Sequence, residues 1–521
     1  FEGQRELQLT EPSFFRFKMP RYGDLLMDTY FVVTLPTIWS PIIPPDSGDK
    51  AWRPYEFKWI HDIGSQLIKK VRFRVGGELI QEFSGQYLRN LVERDFPEAK
   101  KKLYYAMTGN VPELNDPASR FPLEGYPSVG QINSESVEHG CKGPAPSIYG
   151  RQLYIPLNIW FTLAANMAFP MTSLQYAELF IEIECRPIRD LFVIRDISSS
   201  SWETYADWID NSGDSPSIPG QPPIVKPEYH APDFSDQMQQ LYRFLQPPPP
   251  ITTSSNPSIM ASENLRDNDG YLDRSSSWAA DIHLISTYAF LTEEEVRVFA
   301  ARPQRYLVRE VYEYIRPNII GPSRHNIESS GLVCSWMWFL QRSDAASRNQ
   351  WSNYTNWPES NRNPMLLIPG TLANKNYQSS DGPYFPPSAD KISVPEWNWA
   401  KPYGPPATRN GLWVTPEYNS LYDSSIMETW GLILDGKDRE VSLPSDVWRF
   451  TEQYAASNGF GVPGLYYYNF CLHTDPADGQ PSGAMNLSKF NQIEFDISVR
   501  QPPIKQNVEV TQLCGPAPDA L

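Results

Sequence analysis

Histidine and cysteine are scarce, with six His and five Cys in 521 residues. Cys141, Cys185, Cys334, Cys471 and Cys514 include no CxxC pair. An odd, unpaired set of this kind speaks against a zinc ribbon or a disulfide framework and for free thiols in a reducing compartment. No apolar run approaches the ~18 residues that a transmembrane helix requires, and no signal-peptide pattern opens the chain. The sequence starts at Phe1 rather than Met, so a preceding segment is expected. Cations are outnumbered, 45 against 61 anions, for a net charge of −16. That balance excludes a chain whose main surface grips phosphate backbones, so no direct nucleic-acid contact is expected. Glycine, at 30, is outnumbered by 50 prolines. Proline is shut out of helix interiors and central strands, so this excess implies short strands joined by long irregular connections.

Aromatics reach 13%, which favours half-buried pleated surfaces. The length suits two cores of roughly 200–250 residues. Period-two alternation marks strands with one buried and one wet face. Val71, Phe73 and Val75 alternate with Arg72 and Arg74, and Gly76-Gly77 then predicts a two-residue hairpin into Glu78-Leu79-Ile80. Leu179, Ile181, Ile183 and Cys185 share a face opposite Glu182 and Glu184. Ile493, Phe495, Ile497 and Val499 do the same against Glu494, Asp496 and Ser498. Helical signals are short. One covers Tyr87–Glu93, and one starts near Ser445-Asp446 and carries Val447, Trp448, Phe450 and Tyr454. The third opens at Thr292, where Glu295 completes a capping box before Val296, Val298 and Phe299.

Three long stretches, 110–148, 197–277 and 343–410, are rich in Pro, Gly, Ser and Asn. They include Pro247–Pro250, a polyproline II signal. Recurrent loops of this length suggest ordered towers on a β scaffold. The order hairpin, helix, strand, strand occurs twice: at Gly76-Gly77, Tyr87, Leu153–Leu157 and 174–185, then at Asp435-Gly436, Trp448, Leu465–Phe470 and 485–499. The expected fold class is therefore all-β: two consecutive eight-stranded antiparallel jelly rolls with long loop insertions and a few short helices. The expected division is 1–291 for the first, 292–302 for a short helical linker and 303–521 for the second.

Chemical motifs are few, and each has a plainer reading. His61-Asp62-Ile63-Gly64 spells a metal-phosphohydrolase string, but a strand hairpin follows and the other histidines (His139, His230, His283, His325, His473) are scattered. The reading is coincidence. Asp267-Asn268-Asp269-Gly270 hints at a calcium loop, but alignment on Gly270 puts Leu265 and Ser276 at the first and twelfth ligand positions. Asn353-Tyr354-Thr355 and Asn486-Leu487-Ser488 are formal glycosylation sequons and are read as turn asparagines. Glu182 and Glu184 are read as a sheet's polar face. No residue is assigned as catalytic, cofactor-binding or metal-ligating, and no cofactor is expected. The rival function class is a two-barrel glycan-binding or glycan-processing protein in which Trp351, Tyr354 and Trp357 stack on sugars.

Several strings, in order, resemble the major capsid proteins of nucleocytoplasmic large DNA viruses. They are Gly23–Leu26 to Leu35-Pro36; Trp59–Gly64 with the Gly76-Gly77 hairpin; and Ile155–Phe161, Phe169-Pro170 and Leu174–Tyr176. Further along come Phe290–Glu295 to Phe299, Leu432–Arg439 and, most specific, Gln480–Ser488. No counterpart of that family's last strand is visible after Val499. The resemblance implies a non-enzymatic structural subunit that trimerises into pseudo-hexameric capsomers and tiles the icosahedral outer shell of a virion. It also implies neighbouring capsomers and minor capsid and penton proteins as partners. Further implications are an inner face approaching an internal viral membrane, and assembly in the cytoplasm of an infected host cell. Many of Trp202, Trp208, Trp351, Trp357, Trp397 and Trp399 are expected at subunit interfaces; the simpler reading is that these side chains only pin each loop onto its own barrel.

Overall fold

Alternating side chains fix which way each strand faces. A computed structural model of the chain describes residues 6–40, 56–117, 146–195, 229–247, 271–357 and 424–500, apart from 175, 237 and 238, together with Tyr126 and five two-residue strand fragments. In Ser13–Lys18 (β1), Ser13, Phe15 and Phe17 point inward and the intervening residues point out. Leu25–Leu35 (β2) is longer and buries Leu26, Phe31, Val33 and Leu35. A short helix, Ile63–Leu67 (α1), leads into Ile68–Val75 (β3) and the hairpin expected from the sequence, whose second strand is Glu78–Ser84 (β4).

Strands β3 and β4 are the two arms of that hairpin. Gly76 and Gly77 join them with φ of 59° and 94°, the left-handed pair that a twisted two-residue hairpin requires. Helices Gly85–Asp95 (α2) and Glu98–Thr108 (α3) follow. The sequence reading found α2 and missed α3. Strands Arg151–Pro156 (β5), Phe169–Pro170 (β6), Leu179–Cys185 (β7) and His283–Ala289 (β8) complete the first barrel. One sheet runs β1-β7-β3-β4, and the other has β2 between β5 with β6 on one side and β8 on the other. All pairings are antiparallel. Leu179–Cys185 begins later than the expected 174.

The second barrel repeats this plan. Its strands are Pro322–Asn326 (β9), Leu332–Val333 (β10), Ser335–Phe339 (β11), Met427–Leu434 (β12), Lys437–Pro444 (β13), Leu465–Asn469 (β14), Met485–Asn486 (β15) and Ile493–Val499 (β16). The sheet β9-β16-β12-β13 has the order of β1-β7-β3-β4, while β11 pairs β14 and β10 pairs β15 as β2 pairs β5 and β6. Asp435 and Gly436, φ 48° and 75°, form the matching hairpin turn. A π turn, Val447–Thr451, and helix Glu452–Ala456 follow where α2 stands in the first barrel. The expected strand at 485–499 is two pieces, β15 and β16.

The cores are separate. One joins Phe15, Phe31, Phe73, Ile155 and Ile181. The other joins Trp430, Trp448, Tyr466, Tyr468 and Phe495, where the Trp338 and Trp430 rings stack at 4.5 Å. Between the barrels, Glu293–Ala301 forms a helix, capped as expected by Thr292 and Glu295 in both directions. The tail after Arg500 lies outside the described residues, as do Trp202, Trp208, Trp397, Trp399 and Asp267–Gly270.

The outer face of the first sheet differs from a wet polar face. Glu184 is only 8% exposed. Arg16, Glu182, Arg72 and Glu82 lie directly opposite one another across four strands, alternating in sign. Ion pairs cross this ladder diagonally, at 3.0 Å for Arg74–Glu182 and 2.8 Å for Lys69–Glu184. Long Arg and Lys stems lie over the sheet and cover the carboxylates.

Candidate functional site: the seam between the barrels

Helix α2 begins in the ordinary way, with Ser84 Oγ accepting from the Tyr87 N–H at 3.2 Å. Its apolar residues Leu88, Leu91 and Val92 are buried. So are Arg89, Asn90, Glu93, Arg94 and Asp95, because the helix is enclosed by both barrels. Buried charges must be paired and hydrogen-bonded, and these are.

On the first-barrel side, Arg89 Nε donates to Asp62 Oδ2 at 2.7 Å, and Asn110 Nδ2 donates to the other oxygen at 2.6 Å. Burial alone would push the Arg89 guanidinium down, but Asp62 together with Tyr354, Glu93 and Tyr105 outweighs it and holds the group above its ordinary value. Asp62 has a φ of 55°, a left-handed conformation that aspartate tolerates. Glu93 accepts from Lys101 Nζ at 3.2 Å and from the Tyr105 hydroxyl. Burial first, then Glu93, drives the Tyr105 pKa far up, so its proton stays in that bond.

The second barrel completes the network. Arg94 clamps Asp95 with two bonds, at 2.9 and 2.8 Å, and its Nη1 donates to Ser335 Oγ at 2.9 Å. Thr474 Oγ1 donates to Asp95 at 2.5 Å. The Tyr354 hydroxyl donates to Asn90 at 3.0 Å, and Gln66 Nε2 donates to Ser352 at 3.0 Å. The last carbonyls of a helix have no intrahelical donor and carry partial negative charge. Here the second barrel supplies the donors: Gly461 N to Glu93 O at 2.9 Å, and Gly459 N and Gln453 Nε2 to Arg94 O at 2.8 and 3.0 Å. A Cβ on Gly459 would lie 2.4 and 2.5 Å from those two carbonyl oxygens, so the position has room only for glycine. Beside this polar strip, Tyr354, Leu465 and Tyr467 form an apolar patch with Met337 and Phe339. The arrangement holds two barrels in one orientation, and no acid, base or nucleophile in it is left poised toward an open cleft.

The structure settles where several sequence candidates go. Asp62 of the His61–Gly64 string is an ion-pair partner, and His61 is exposed beside it. Among the described residues no cluster of His, Cys, Asp and Glu is arranged to hold a metal. Asn353 is buried, with Nδ2 donating to Gln350 and Trp357, which removes it as an accessible glycan acceptor. Asn486 caps the turn after it through Ser488 N. Tyr354 and Trp357 are buried, and Trp351 donates to Asp190 O and lies under Arg186, so these rings cannot stack on sugars. Trp351 and Trp357, expected between subunits, instead pin their loop within the chain. Cys185, Cys334 and Cys471 are free. No helix among the described residues is long and apolar enough to cross a membrane. Sequence reading missed the seam itself. The available signal was the run Arg89–Asp95, with charges of both signs on a helix between two apolar hairpin systems.

Comparison with known proteins gives these features a context. A family described as major capsid protein N-terminus matches residues 13–219. The major capsid protein of Phaeocystis pouchetii virus is 22% identical over 511 residues, covering 92% of this chain and 81% of that protein. That of Frog virus 3 (isolate Goorha) is 26% identical over 181 residues, covering 35% of this chain and 34% of the relative. Among solved structures, the Faustovirus major capsid protein superposes with a TM-score of 0.55 at 13% identity, covering 95% of this chain and 85% of that one. The two barrels are thus the two jelly rolls of a double jelly-roll fold.

Proposed function

We propose, starting from the chain's kinship with the major capsid proteins of nucleocytoplasmic large DNA viruses, that it forms homotrimers whose six jelly rolls make a nearly hexagonal capsomer. Such capsomers tile the icosahedral outer shell of a virion and contact one another and minor capsid and penton proteins. The observation that carries this reading is the duplication: two barrels of the same strand order, locked by a buried seam, present two similar wedges per chain. Three copies then close a ring with closed point symmetry. Subunit interfaces above ~2,000 Å² per pair are expected for an obligate assembly. We take the working division as 1–291, 292–302 and 303–521, with the capped helix as the linker. We assign no catalytic site, metal or cofactor, since the one catalytic-looking string contributes its aspartate to the seam. Assembly in the host cytoplasm, with the inner face toward an internal viral membrane and no direct grip on nucleic acid, belongs to the same reading. Electron microscopy of the purified protein tests it. Threefold particles of hexagonal outline are expected, and isolated two-lobed particles alone would overturn it.

A further inference from the structure

The repeat between barrels extends to register. In the first, Val71 pairs with Ile183 and Phe83; in the second, Trp430 pairs with Ile497 and Leu443. Counting on from Phe83 and Leu443, Leu88 corresponds to Trp448, and both are buried in their own cores. Arg89 then corresponds to Arg449 and Asn90 to Phe450. The π turn brings the end of α2, Glu93-Arg94, level with Tyr454. On the opposite sheets, Leu153 and Ile155 pair with Val33 and Phe31 as Tyr466 and Tyr468 pair with Trp338 and Trp336. That register makes Tyr154 the counterpart of Tyr467.

Within the chain, the end of α2 and the Tyr467 side of the second barrel are the two halves of one contact. Gly461 donates to Glu93 O, and a Cβ on it would lie 2.7 Å from the Tyr467 hydroxyl. Among the described residues, the counterparts of these halves have no such cover. Phe450 is 40% exposed and Tyr454 93%, while Tyr154 is 38% exposed and Tyr149, just before β5, 66%.

We infer that these two faces meet between copies: the Phe450–Tyr454 face of one chain packs on the Tyr149–Tyr154 face of the next chain's first barrel, repeating between chains the contact that α2 makes within one. The occupant is a second copy, and the inference rests on the trimer reading. The contact is heterologous, using two different patches, and such a contact closes into a ring when the rotation permits. With two wedges per chain, closure falls at three. The chemistry differs from the seam for a physical reason. The seam forms on folding and can keep fully paired buried charges. A face that waits in water suits tyrosine and phenylalanine, which expose little unpaired polarity and bury large area on contact.

Sedimentation velocity on the intact chain tests this with two double variants, Phe450→Glu with Tyr454→Glu, and Tyr149→Glu with Tyr154→Glu. Each alone is expected to sediment as a monomer, with association weakened more than about tenfold. A one-to-one mixture is expected to form a dimer and no closed trimer, since each variant keeps one intact face. Dimer formation also shows that both variants are folded. Tyr176→Glu, at an exposed ring outside both faces, is expected to leave the trimer unchanged. If the unaltered chain is a monomer, the trimer reading itself fails. If it is a trimer and both variants remain trimers, this junction is wrong while the trimer reading stands. Monomeric variants whose mixture stays monomeric overturn the head-to-tail pairing.

Discussion

Arg89 and Asp62 are both almost fully buried, and their separation is 2.7 Å. Taking charge out of water is tolerable only while its partner remains. Arg89→Leu leaves Asp62 with the Asn110 amide alone, and a loss of roughly 3–5 kcal/mol is expected for breaking such a pair. Urea unfolding with an unchanged slope and a lower midpoint would show it; an unchanged midpoint would contradict it. Gly459→Ala drives a methyl into two backbone carbonyls. A cost of about 1–3 kcal/mol is expected from overpacking, with the loss concentrated at the seam, so hydrogen exchange at Gly461 and along α2 should accelerate. His61→Ala should change no phosphohydrolase rate. A His61-dependent activity toward a model phosphodiester would contradict the structural role of Asp62.

At the scale of elements, the charge ladder has a definite pH signature. Burial pushes the Glu82 carboxyl up, but hydrogen bonds from Lys70 and Arg72 outweigh it and hold it below the ordinary value. A folded-state pKa below the unfolded one gives stability that is complete above the unfolded pKa, about 4.3 for glutamate. That stability is lost as pH falls through the folded value. Glu82→Gln should therefore lower stability at pH above about 6 while changing little in strong acid, which flattens the acid limb of a stability–pH curve, and an unaltered acid limb would refute this.

Helix Glu293–Ala301 buries no residue completely, so its ends matter. Thr292→Ala should cost the helix about 1 kcal/mol, seen as faster amide exchange there with the global midpoint unmoved. This capping box was legible in the sequence because it is local: Thr292 and Glu295 need only each other. Both hairpins were legible for the same reason, since Gly76-Gly77 and Asp435-Gly436 set positive φ by themselves. Helix α3 escaped because its three consecutive lysines and exposed Leu103 blur the apolar period, and Lys101 is buried only because Glu93 is there to receive it. The seam escaped altogether. Gly459 and Arg94 are brought together by the docking of two barrels, and no window of sequence contains both.

At the scale of the whole molecule, one chain is a pair of similar barrels joined by a buried, hydrogen-bonded seam. The duplication was legible as an order of elements, but its consequence depends on register. Only paired strands reveal that Tyr154 stands where Tyr467 stands and that Phe450 stands where Asn90 stands. The proposed ring of paired wedges closes at three copies. Its most direct test is the mass of the purified, full-length protein in solution by light scattering, across dilution to submicromolar concentration. The expected result is the mass of three chains, unchanged on dilution, as obligate interfaces above ~2,000 Å² require. A stable mass of one chain at micromolar concentration would contradict it.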